Sequence, residues 1–140
     1  MPTRATVGYS GTPLIKKLGL KAGMTYAVVG APMDYAALLG GLPEGAKRAK
    51  SLAGKLDFIH YFAKSKAGLA KDLPKLKKCL AMNGMLWISW PKLSSGVESD
   101  VTEKVVHTLG LKTGLVDVKV CAVDETWSGF KFVFRLKDRG

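Results

Sequence analysis

The strongest constraint on the fold of this chain lies in Leu18-Gly19-Leu20-Lys21-Ala22-Gly23-Met24-Thr25-Tyr26-Ala27-Val28-Val29-Gly30-Ala31-Pro32. These residues read as a helix exit, a tight turn, a short apolar strand and a glycine turn into the next helix. An apolar run of about six residues bounded by glycines has the pattern of a strand buried on both faces, and such strands belong to α/β sheets covered by helices. The following segments are then expected to lie beside this one.

The flanking sequence supports that reading. Residues 1 to 8 lack periodicity and are expected to form a loose arm. Thr12 and Pro13 suit the cap and first position of a helix whose apolar side is Leu14, Ile15 and Leu18, with Gly19 as its left-handed exit. Strand one covers residues 24 to 29, and a short helix is predicted over 34 to 39. Residues 46 to 51 form a weak edge strand whose lysines discourage stray pairing, and residues 56 to 63 a strong one rich in aromatic and β-branched side chains. Leu69, Leu73, Leu76 and Leu80 recur at helical spacing, so residues 66 to 82 read as a helix kinked or restarted at Pro74 and ended by Asn83-Gly84. Residues 85 to 90 make the next buried strand, stopped by Pro91, and residues 92 to 99 a loop. Asp100-Val101-Thr102-Glu103 has capping-box spacing, with Asp100 as cap of a helix bearing Val101, Val105 and Leu109 on one face and ended by Gly110. Two alternating strands, 116 to 123 and 130 to 137, with Ser128-Gly129 as the turn, are expected to pair antiparallel. The predicted fold is therefore one α/β domain over residues 1 to 140, a mostly parallel three-layer sheet finished by a hairpin.

At 140 residues the chain can bury a core without a metal or disulfide. Cys79 and Cys121 fall outside any metal or redox spacing, no apolar leader opens the chain, and no run reaches a membrane span. A soluble cytoplasmic protein is expected. Charge is the compositional outlier: the net +11 is concentrated in residues 1 to 80, with 14 Lys/Arg against 4 Asp/Glu. A field of one sign attracts polyanions, whereas a lysine-rich helix face also serves solubility alone. Lys47, Arg48, Lys50, Lys71, Lys75 and Lys78 are the candidate contacts for RNA or DNA phosphates, predicted to bind without sequence preference and with steep salt dependence.

Gly23-Met24 through Gly30, the amphipathic helix before Met85-Leu86-Trp87-Ile88, and the closing strand pair together resemble class I methyltransferases of the Rossmann-like type, with a strand fewer. Gly8-Tyr9-Ser10-Gly11-Thr12-Pro13-Leu14, Gly30-Ala31-Pro32, Trp87-Ile88-Ser89-Trp90-Pro91-Lys92 and Val123-Asp124-Glu125-Thr126-Trp127-Ser128-Gly129 resemble the recurrent blocks of a bacterial family of small proteins of unknown function. The methyltransferase resemblance implies an acid-x-Gly-x-Gly-x-Gly turn for S-adenosylmethionine after strand one. Here Gly30 is the first glycine, while Val28 stands at the acidic position and Pro32 and Asp34 at the later glycines. The ribose-binding acid after strand two is replaced by Ala49, Lys50 and Ser51. The expectation is a degenerate, non-catalytic domain with no cofactor, binding a small molecule or protein partner. A nucleic-acid module is the second reading, and an active S-adenosylmethionine-dependent enzyme with an atypical loop the third.

In an open α/β sheet, ligands bind beyond the carboxyl ends of the parallel strands. The turns expected there carry Gly30, Pro32, Asp34, Lys64, Trp90, Lys92, Asp124, Glu125 and Trp127. They would hold a polar ligand by charge and stacking, or else the tryptophans fill the crevice and Asp124 and Glu125 cap a turn. His60 within an apolar strand and His107 on a helix read as structural, since neither has an acid or nucleophile at catalytic spacing. Ser89 is not in a nucleophile elbow. No metal-ligand cluster is expected.

Overall fold

A computed structural model describes residues 12–139; the arm expected at residues 1 to 8 lies outside them. The elements are α1 (Leu14–Leu18), β1 (Thr25–Val29), α2 (Tyr35–Leu39), β2 (Lys47–Arg48), β3 (Leu56–Phe62), α3 (Lys66–Lys78), β4 (Leu80–Pro91), α4 (Glu103–Lys112), β5 (Val116–Ala122) and β6 (Trp127–Val133), with short 3-10 turns at Leu93–Ser95 and Leu136–Asp138. The strands form one six-stranded sheet in the order β2-β1-β3-β4-β6-β5. The first four are parallel to their neighbours, and β6 runs antiparallel to both β4 and β5. This is the expected three-layer, mostly parallel α/β sheet. No helix among the described residues is long and apolar enough to cross a membrane.

Strand alternation sends successive side chains to two separate cores. Ile59, Leu86, Ile88 and Phe132 pack with Leu69, Leu73 and Leu76 of α3 and Val106 of α4. Tyr26, Phe58 and Trp87 pack on the other face with Leu18 of α1 and Tyr35 of α2. Both faces are covered, so β3 and β4 need continuous apolar runs rather than alternating ones.

Several boundaries differ from the sequence expectation, each for a local reason. Helix α3 ends at Lys78, and Leu80 already pairs with Leu56 in the sheet. Ala81, Met82, Asn83 and Gly84 are taken up by an irregularity between that pair and Phe58↔Met85. A Cβ on Gly84 would stand 2.8 Å from the Leu56 carbonyl oxygen, so this glycine permits a close strand approach instead of ending a helix. Pro74 does not interrupt α3. Its missing N–H would have bonded to Ala70, and both residues lie on the exposed side of the helix. Pro91 closes β4 as its last paired residue, opposite Trp127. Pro13, not Thr12, occupies the cap of α1, and no side chain bonds there.

The cap of α4 is Thr102, whose side chain accepts from the Val105 N–H. Asp100 instead accepts from the Lys66 N–H at 2.8 Å and so anchors the loop after β4 to the first turn of α3. Gly110 lies inside α4, buried against the Phe132 ring. The expected Ser128-Gly129 turn is part of β6. The chain reverses one step earlier, where the Val123 N–H donates to the Trp127 carbonyl at 2.8 Å. Residues 134 to 137 leave the sheet. A bulge between Asp117 and Lys119 twists edge strand β5 and leaves Val118 and Val120 exposed.

Candidate ligand rim and lysine faces

The chain leaves β1 for β2 on one side, then crosses to β3 on the other, so the reversal of strand order falls between β1 and β3. The carboxyl ends of these strands are where a crevice forms in such sheets. Val29↔Tyr61, Phe62↔Ser89 and Pro91↔Trp127 are in register, which brings the turns at Gly30, Lys64, Lys92 and Asp124 to one end of the sheet as expected.

Gly30 has φ +73°, and a Cβ there would stand 3.2 Å from the Phe62 carbonyl oxygen and 3.8 Å from Lys64 Cε. The glycine is therefore required by its own sheet, and the Lys64 stem lies against it. Pro32 is exposed, and Asp34 caps α2, accepting from the Ala37 N–H at 3.1 Å. Asp124 accepts from the N–H groups of Thr126 and Trp127 at 2.8 and 2.7 Å, while Glu125 is exposed. Lys92 ties the two turns together, its N–H donating to the Thr126 carbonyl at 2.8 Å.

The tryptophans are not a stacking pair at this rim. Trp90 is 4% exposed and stacks on Phe130 at 5.2 Å on the α3 and α4 side. Trp127 is 8% exposed and meets the Phe62 ring edge-on at 5.3 Å on the α1 and α2 side. The sheet separates them because Trp90 shares its face with Ile88, whereas Trp127 pairs with Pro91. Both indoles are packed among buried rings, and Asp124 caps the turn between β5 and β6.

Beneath the rim runs a buried polar chain that sequence reasoning missed. The Tyr35 hydroxyl lies 2.6 Å from His60 Nδ1, and His60 Nε2 lies 2.7 Å from Ser89 Oγ. His60 and Ser89 are fully buried, and His60 stacks on Phe62 at 4.3 Å. Desolvation lowers the imidazole pKa from 6.5 to about 3, so it is neutral, donating from one ring nitrogen and accepting at the other. Burial likewise holds the Tyr35 phenol well above its ordinary value. His60 is thus structural, as expected. The alternation of Phe58, His60 and Phe62 marks a lone polar residue on an apolar face, but partners 25 and 29 residues away in sequence leave no local signal.

Among the lysine candidates, Lys71, Lys75 and Lys78 are exposed on α3, opposite buried Leu69, Leu73 and Leu76. Lys55 Nζ donates to the Lys78 carbonyl at 3.0 Å and extends this ridge. Lys47 and Lys50 are exposed at the β2 edge. Arg48 pairs with Tyr26, whose ring faces α1 and α2, so it is directed away from the α3 ridge.

His107 on α4 faces Asp117 at 3.2 Å in an exposed pair. No group of three or more His, Cys, Asp or Glu able to hold a metal exists among the described residues.

No family model and no curated protein matches the chain. Solved structures do. A SAM-dependent methyltransferase from Aquifex aeolicus aligns at 20% identity and TM-score 0.61 over 85% of this chain and 86% of its own. The N-methyltransferase NodS from Bradyrhizobium japonicum aligns at 16% identity and TM-score 0.57 over 84% and 90%. The tRNA methyltransferase TrmK of B. subtilis aligns at 14% identity and TM-score 0.57 over 91% and 66%. The fold is that of the class I methyltransferases. S-adenosylmethionine is the group such a fold implies, and the residues present do not fit its usual cradle. On the side where a Gly30 Cβ would point stand the Phe62 carbonyl oxygen and Lys64 Cε, and the Asp34 carboxylate is committed to α2. The first acid after β2 is Asp57, which accepts from the Thr25 N–H at 3.0 Å.

Proposed function

We propose that the chain is a methyltransferase-fold binding domain that takes a small ligand or a protein partner at its carboxyl-end rim without transferring methyl groups. The observation that carries this reading is Lys64 Cε, 3.8 Å from where a Gly30 Cβ would stand at the strand-order reversal, with Asp34 held at 3.1 Å in a helix cap. Lys64 and Lys92 supply positive charge there, which suits an anionic ligand better than a sulfonium. The unbridged Cys79 and Cys121 agree with a reducing, cytoplasmic setting.

The test is thermal unfolding with S-adenosylmethionine and S-adenosylhomocysteine. A ligand at 100 times its Kd stabilises by about 2.7 kcal/mol, or roughly 10 °C for a domain of this size. We expect no saturable shift, and a rise of that size would make the chain an enzyme with an atypical cofactor loop. Native mass spectrometry of protein isolated from its own cells is expected to show a bound molecule or partner that Lys64→Glu and Lys92→Glu release.

A second reading, RNA or DNA binding, is favoured by the α3 ridge of Lys71, Lys75 and Lys78, none of which joins an ion pair among the described residues. If these three meet phosphates, affinity for labelled RNA should fall about 20-fold between 50 and 200 mM salt. Reversal of all three to glutamate should abolish binding, and unchanged binding would exclude this ridge.

A further inference from the structure

A separate group of cations lies on the opposite face of the sheet, where α1 meets β5 and β6. Lys119 and Lys131 are direct cross-strand partners, and like charges so placed destabilise an antiparallel pair. Lys119 Nζ donates to the Lys17 carbonyl at 3.1 Å, at the carboxyl end of α1. Lys131 Nζ stands 3.8 Å from where a Gly19 Cβ would be, beside Met85, and is half-buried. Lys21 follows in the next turn. Burial depresses the Lys131 pKa, and the charges of Lys119 and Lys21 depress it further.

A purely structural role accounts for Lys119 but not for Lys131. Basic side chains do stabilise a helix carboxyl end. Here, however, the Ile15 carbonyl is taken by the Gly19 N–H, the Lys17 carbonyl by Lys119 and the Leu18 carbonyl by Trp87 Nε1 at 2.7 Å. Lys131 and Lys21 make no side-chain hydrogen bond or ion pair among the described residues, where the ion pairs His107–Asp117 and Arg135–Asp138 involve neither. Lys119 and Lys131 stand side by side on adjacent strands with no ion pair to a carboxylate among the described residues, and their like charges oppose the strand pairing. An arrangement of this kind is satisfied by an anion from outside the chain.

We propose that Lys119 and Lys131 form a phosphate-binding site at the junction of α1, β5 and β6, separate from the carboxyl-end rim and from the α3 ridge. A phosphate oxyanion would accept from the two ammonium groups and relieve their repulsion, without reading bases or other ligand detail. Its source is either a nucleic-acid backbone or a soluble polyphosphate compound, which share this chemistry.

The test compares wild type, Lys131→Met and Lys119→Gln by thermal unfolding and binding, with inorganic tripolyphosphate and a 20-residue oligouridylate as probes at matched ionic strength. Lys131→Met should raise the melting temperature without ligand by a few degrees, because methionine keeps the packing and removes the repelled charge. It should also weaken probe binding about tenfold and lower the salt slope for the oligonucleotide by about 1. Lys119→Gln should weaken binding similarly. Preference for oligouridylate identifies a nucleic-acid backbone as the source, and preference for tripolyphosphate a soluble ligand. The proposal is overturned if neither probe binds wild type, or if both variants bind as wild type does. A fall in melting temperature for Lys131→Met with binding unchanged would likewise reduce these lysines to helix caps.

Discussion

His60→Ala should lower stability by about 4 kcal/mol or more, which for a domain of this size is a melting temperature lower by about 15 °C. The substitution opens a cavity under the stacked Phe62 ring and leaves the Tyr35 and Ser89 hydroxyls buried without their imidazole partner. Both residues are out of reach of bulk solvent, Tyr35 being 2% exposed and Ser89 0%. His60→Gln, which can restore one bond, should lose less. The same group sets an acid limit. Its pKa is lowered on folding, so its contribution is complete above about pH 6.5, where the unfolded imidazole is also neutral, and is lost as pH falls towards about 3. Within that window the unfolded chain binds a proton that the native one refuses, and stability should fall by roughly 1.4 kcal/mol per pH unit. Urea titrations at pH 7 and pH 5 check both claims. If His60→Ala unfolds at the same urea concentration as wild type, the buried chain contributes nothing to the fold.

The second large effect is expected at Gly110. Helix propensity alone predicts that alanine there would stabilise α4 by about 1 kcal/mol. The structure predicts the opposite. A Cβ on Gly110 would lie 2.9 Å from Phe132 Cε2 and nearer still to Cζ and Cε1. Phe132 is fully buried between α4 and the sheet, so the ring has nowhere to turn and the helix must lift from Val106 and its neighbours. Overpacking of this kind costs about 1–3 kcal/mol in an ordinary core, and backbone displacement puts Gly110→Ala at or beyond the upper end. Phe132→Leu in the same chain should recover part of the loss, a coupling measurable as a double-mutant cycle of thermal unfolding. An equal or higher melting temperature for the single variant would show that α4 and β6 are not packed this closely.

These two sites show what a single sequence conveys and what it withholds. The strands around Ala27, Ile59 and Ile88 were legible because burial on both faces writes itself as an unbroken apolar run. The rim was legible too, since parallel strands place their exits at one end. Gly110 was not, because a glycine that ends a helix and one that admits an aromatic ring look alike until the ring is located. Leu80 satisfied the helical period of α3 while belonging to β4, so period alone could not divide them. The opposite facing of Trp90 and Trp127 was not legible, because it follows the register of β6 on β4, in which Trp127 stands opposite Pro91. Asp100 has the capping-box spacing for α4 but does not cap it: Thr102 does, and Asp100 serves α3, from 34 residues away.

The order β4-β6-β5 has a consequence for synthesis. Strand β5 is made before β6 yet has no place in the sheet without it, because β6 is inserted between β4 and β5. A nascent chain that has emerged only through Ala122 therefore presents β4 with one open margin, bearing Leu86, Trp87 and Ile88, to anything that can add a strand. Closure waits for the last segment of the sheet to leave the ribosome, and until then a chaperone or a neighbouring chain competes for the slot that β6 will fill.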